Sequence, residues 1–96
     1  MATVYRGYTV HTSGLQSITM PQGAEVRHVD VASLEYETLP TVWMLVDDAQ
    51  PDVSRLFVAV QDEIDLTGLE GTPPFVYAGS AYCQPLMYHV YDGGEV

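Results

Sequence analysis

Apolar and polar positions along this chain repeat every two residues almost everywhere, the period of strands rather than the 3.6 of helices. Val4 to Val10 is a β-branched and aromatic run, His11-Thr12-Ser13-Gly14 reads as a turn, and Leu15 to Thr19 reads as a short second strand. Met20-Pro21-Gln22-Gly23 puts proline where a type I turn wants its fixed φ and glycine at the fourth position, so a hairpin into a third strand, Ala24 to Leu34, is expected. In that strand Val26 is apolar at one parity while Val29 and Val31 occupy the other. An extra residue near Arg27-His28 reconciles them and predicts a β-bulge.

Glu35 to Pro40 reads as a polar connection, and Thr41 to Asp47 is the clearest strand, with Val42, Met44 and Val46 on one face and Trp43 and Leu45 on the other. Side chains of a strand alternate between two faces, so apolar residues at both parities predict a strand covered on both sides and central in its sheet. Trp43, mid-strand with no charge within three positions, is expected in the core. Asp48 to Asp52 closes this strand, and Arg55 to Gln61 returns as a fifth. The longest irregular piece is Asp62 to Pro74, where acids are interleaved with Ile64, Leu66 and Leu69 and one helical turn has room to form. Phe75 to Tyr82 and Leu86 to Asp92 make the last pair, split by Gln84-Pro85, and Gly93-Gly94-Glu95-Val96 reads as a frayed tail. The expected fold is all-β, a small antiparallel sandwich or roll of about seven strands. It is expected as a single β domain over residues 1–96, since a chain of this size buries roughly 60–65% of its unfolded surface around one core.

Charge narrows the choice of partner. The net charge is −10 although charged residues make up only 17% of the chain, so the imbalance reflects missing bases more than added acids. There is no lysine, and Arg6, Arg27 and Arg55 cannot form the cationic track that neutralises a nucleic-acid backbone. Nucleic acid and anionic membrane are therefore excluded as expected partners. The acidity reads either as a surface that meets a basic partner or as a solvated surface that keeps a small protein apart from its copies. Cys83 is the lone cysteine, which excludes an intramolecular disulfide and favours a reducing compartment. No charged start followed by an apolar run opens the chain, and no stretch nears the roughly 18 apolar residues of a membrane span.

Catalytic motifs are missing: there is no glycine-rich phosphate loop, no paired cysteines, no His-x-x-x-His and no Gly-x-Ser-x-Gly. His11, His28 and His89 fall on three different predicted elements and read as structural. Asp47-Asp48 with Asp52, and Asp62-Glu63 with Asp65, lack the spacing of a calcium loop, and Cys83 has no evident base. No catalytic residue, metal or cofactor is expected. Tyrosine is the over-used residue, seven in all, and the last two strands carry four of them. Tyrosine combines a large rigid face with a polar tip, so Tyr77, Tyr82, Met87, Tyr88 and Tyr91 are the candidate interface residues.

The succession Ile18-x-Met20-Pro21-x-Gly23-Ala24, Trp43-x-Leu45-Val46-Asp47, Tyr77-x-Gly79-Ser80 and Tyr88-His89-Val90-Tyr91 resembles a family of small uncharacterised tailed-bacteriophage proteins over nearly the whole chain. That family usually carries a short glycine-rich turn after the fifth strand, where this chain has the longer acidic segment Asp62 to Pro74. The resemblance implies a phage gene product acting in the host bacterial cytoplasm and transfers no catalytic residue. The functional expectation is a non-enzymatic phage accessory protein that binds another protein, such as a host or anti-phage defence protein. Two alternatives stand beside it: a sponge holding a small nucleotide signal between subunits, and a minor structural component of the virion. Large apolar side chains on both faces of several strands also predict a homo-oligomer, a C2 dimer packed through the sheet that contains the last two strands; the alternative is that Asp62 to Pro74 folds back over that face with Ile64, Leu66 and Leu69 and leaves a monomer.

Overall fold

A computed structural model describes residues 2–12, 14–33, 38–61, 75–83 and 86–96. Seven antiparallel strands run in the order β1 (Thr3–Thr9), β2 (Gln16–Pro21), β3 (Glu25–Ser33), β4 (Thr38–Asp47), β5 (Asp52–Gln61), β6 (Val76–Cys83) and β7 (Leu86–Glu95). They form a three-stranded sheet, β1-β4-β3, and a four-stranded sheet, β2-β5-β7-β6. The molecule is 18 Å through its thinnest dimension, room for two sheets about 10 Å apart and their outer side chains. The fold is therefore an all-β sandwich.

Alternation decides what lies between the layers. Val42, Met44 and Val46 of β4 face Phe57 and Ala59 of β5, Val90 of β7, and Ala81 and Cys83 of β6, with Val10, Met20, Ala24 and Val29 completing the core. β4 is the middle strand of its sheet, as expected, but the second sheet covers only its Val42–Met44–Val46 face, and the face with Trp43 is an outer one. The bulge predicted at Arg27-His28 is present: the β3 register against β4 slips between Val26 and His28, so Val26 and Val29 both turn inward. A second slip between Tyr77 and Gly79 brings β6 against the other sheet. A Cβ on Gly79 would stand 2.7 Å from both Cβ and Cγ2 of Val29, so only glycine lets β6 and β3 approach this closely.

Several expectations need correcting. The Pro21-Gln22-Gly23 turn exists, with Gly23 at φ 79°, but no hairpin follows. β2 pairs with β5 and β3 pairs with β4, so the turn is a corner that carries the chain from one sheet to the other. β5 likewise does not return beside β4; it pairs with β2 and β7 across the sandwich. Thr38, Leu39 and Pro40 are strand rather than connection, and Leu39 and Pro40 are buried. The tail is not frayed: Gly93 to Glu95 continue β7, and the Val96 amide donates to the Ser54 carbonyl at 2.9 Å. Trp43 is not in the core but on the outer face of β4, 39% exposed. The helical turn expected in Asp62 to Pro74 lies outside the described residues.

Candidate functional site

The outer face of the three-stranded sheet is built by register. β4 sends Trp43 and Leu45 outward; β1 sets Gly7 beside Trp43 and Tyr5 beside Leu45, and β3 sets His28 beside Trp43 and Glu25 beside Leu45. The missing side chain at Gly7 makes room for the indole, whose Cη2 and Cζ3 come within 3.1 Å of where a Gly7 Cβ would stand. The Thr41 methyl closes the same hollow at 3.2 Å, and Thr41 Oγ1 is buried without a hydrogen-bond partner. Tyr5, at 65%, is among the most exposed large side chains described. Around this aromatic ground stand Glu25, Asp30 and Asp47. Glu25 binds Arg27 at 3.0 Å, and His28 Nε2 lies 3.7 Å from Asp30 Oδ2.

The outer face of the four-stranded sheet holds most of the residues singled out from sequence. Tyr77 and Tyr91 stand opposite each other with ring centroids 5.7 Å apart and planes at 67°, an edge-to-face pair. The Tyr77 hydroxyl is hydrogen-bonded to Ser80 Oγ, which is in turn bonded to His89 Nδ1 at 2.6 Å. Tyr82 stands opposite Met87, and both Tyr77 and Tyr82 are more than half exposed. Met87 and Tyr91 are half-buried. Tyr88 has the opposite parity and packs against the core from inside. Val58, opposite Tyr91, is only 5% exposed, and Phe75 lies over Gly93 and Leu56. Val76, Tyr77 and Tyr82 set its large exposed apolar groups along β6.

Among the described residues reactive groups meet at one place, the Tyr77–Ser80–His89 chain of hydrogen bonds, and the others lie apart. Cys83 points into the core, where burial pushes its thiol pKa up and away from the nucleophilic thiolate. His28 and His89 lie on outer faces of different sheets. Among the described residues no group of three His, Cys, Asp or Glu could hold a metal ion. Asp62-Glu63 and Asp65 lie outside the described residues. The arginines are scattered: Arg27 is tied to Glu25, and Arg55 is enclosed in the sandwich, where its Nε and Nη2 grip the two Asp92 oxygens at 3.1 and 2.5 Å. Its Nη1 donates to the Ala24 carbonyl. A phosphate held between convergent cations has no counterpart in this arrangement.

The sequence reading missed the outward Trp43 and, inside the sandwich, the Arg55–Asp92 clasp. A signal for the first was present on β3: once the bulge is counted, Glu25, His28 and Asp30 share one face, and charged groups of that kind mark the solvent side.

Fold and surface together define a small two-sheet β domain whose outer faces carry aromatic side chains and whose sandwich interior holds apolar residues and the Arg55–Asp92 ion pair. The chain belongs to the DUF7352 family, a domain of unknown function, whose model matches residues 1–95. No curated protein and no solved structure matches it at a level that carries an argument.

Proposed function

We propose that this protein is a non-enzymatic phage accessory factor of the bacterial cytoplasm that works by binding another protein through the outer face of β1-β4-β3. One observation carries the reading: the only tryptophan of the chain stands on that face, seated over Gly7 beside the exposed Tyr5. Tryptophan and tyrosine dominate the energetics of protein contacts because a large rigid surface is buried at little entropic cost. The partner this face suits is basic. Glu25, Asp30 and Asp47 surround the aromatics, the chain as a whole carries −10, and an arginine or lysine can lie on an indole while its head meets a carboxylate. The phage assignment rests on the resemblance of the four motifs, and a host or defence protein is the partner such a factor would meet.

Affinity capture from infected cells with the wild-type chain and with Trp43→Ala tests this. The wild type retains a basic protein whose affinity falls with added salt, and Trp43→Ala weakens it about tenfold or more while remaining folded. Equal affinity in the folded variant would remove this face from the contact.

A further inference from the structure

The two sheets have four edge strands, and three of them are defended against pairing with another chain. β2 is six residues long and ends in Pro21, which has no amide to offer. β3 carries Glu25, Arg27, His28 and Asp30 and is bent by its bulge. β1 carries Arg6 at its centre. Charges, prolines, bulges and brevity are the devices by which natural sheets keep their edges from adding strands. β6, Val-Tyr-Ala-Gly-Ser-Ala-Tyr-Cys, has no charge and no proline, and its one bulge is at the beginning, between Tyr77 and Gly79. From Gly79 to Cys83 it pairs regularly with β7 on one side, and on the other it is the edge of the sheet. Tyr82 within that stretch, and Val76, Tyr77 and Leu86 on either side of it, are all large and all at least 40% exposed.

We propose that β6 is a self-association edge, where a second copy of this chain adds its own β6 antiparallel about a two-fold axis through Gly79–Cys83. Charge selects a second copy here. Two chains of −10 repel wherever carboxylates meet, but the outward groups where β6 pairs with β7 are Tyr77, Ser80, Tyr82, Met87, His89 and Tyr91, none of them an acid. An antiparallel edge is also self-complementary: each strand offers the other the same alternation of amide and carbonyl, so one edge satisfies both copies. The result is one eight-stranded sheet across the dimer, β2-β5-β7-β6 continued by its symmetry mate. The outer face of β1-β4-β3 stays free in each protomer, so this contact is independent of the partner surface proposed above.

Sedimentation over a micromolar concentration series, with amide hydrogen exchange at low and high concentration, reads the proposal out. The expected result is a species of twice the 10.6 kDa chain mass whose Gly79–Cys83 amides gain protection as it forms, while those of β1 do not. Tyr82→Glu, on an exposed position, sets like charges near the two-fold axis and raises the dissociation constant about tenfold or more; Tyr5→Glu, at a still more exposed position on the β1 edge, leaves it unchanged. A thermal melt confirms that both variants fold. A single 10.6 kDa species at every concentration would overturn the proposal. So would a dimer that survives Tyr82→Glu with Gly79–Cys83 still exchanging freely, or protection that appears only with a different protein present. Trp43→Ala separates the two proposals, since it impairs partner capture and leaves the dimer intact.

Discussion

Arg55 occupies a position on β5 that points between the sheets, in line with Phe57 and Ala59, and its charge is answered there by Asp92 of β7. Both side chains are about seven-eighths buried, and Asp92 Oδ1 also accepts the Gly94 amide at 2.8 Å. An enclosed pair contributes little beyond what an apolar pair would, but removing one partner strands the other charge away from water. Asp92→Ala should therefore cost about 3–5 kcal/mol, and Arg55→Met with Asp92→Leu should recover most of that loss. Denaturant melts of the single and double variants measure it; a single variant as stable as wild type would show that the pair is solvated. Cys83 gives a residue-scale test of a different kind. Its pKa is raised by burial, so above the ordinary thiol pKa the unfolded chain releases this proton before the folded one does, and stability falls as pH rises through that window. Alkylation of the thiol should accordingly be slow in the native protein and fast in denaturant, and rapid native labelling would contradict its place in the core.

At the scale of elements, β6 approaches β3 so closely at Gly79 and Val29 that a Cβ there would stand 2.7 Å from the valine side chain. Gly79→Ala drives a methyl into the Val29 side chain and should destabilise by about 1–3 kcal/mol, part of which Val29→Ala restores by making room. Additive losses in the double variant would mean the two strands do not touch. Much at this scale was legible in the residues themselves. Period-two patterning marks every strand, and the mismatch of Val26 with Val29 and Val31 reveals the β3 bulge, because a one-residue slip is the only way both sets can face one core. Pairing was less legible. Pro21 and Gly23 specify that the chain turns, and the same turn chemistry serves a hairpin and a corner between sheets. Gly93-Gly94 resembles a tail by composition, yet Phe75 lies on Gly93, and the chain end is pinned by the Ser54 carbonyl and by Glu95, whose Oε2 accepts the Gly23 amide at 2.6 Å.

For the whole molecule, the misplacement of Trp43 has a specific cause. β4 is apolar at both parities, so its own residues cannot say which set is inside; the answer comes from its neighbours, where Gly7 leaves a hollow on one face and Val4 and Val29 fill the other. The smaller set, Val42, Met44 and Val46, fits between the sheets, and the indole is left outside. The same register brings Tyr5, Leu45 and the surrounding carboxylates to that face, a site no local motif encodes. Trp43→Ala should then cost about 1–2 kcal/mol, less than the roughly 3–5 of a fully buried tryptophan, and lower the melting temperature without unfolding the chain. The most direct test is optical, because the chain has one tryptophan and its emission reports a single place. Fluorescence of the folded protein with a neutral quencher in solution should show an indole in contact with water and readily quenched, and should become shielded when a basic partner binds. A blue-shifted emission that the quencher cannot reach in the isolated folded chain would put Trp43 back inside the sandwich and contradict the account.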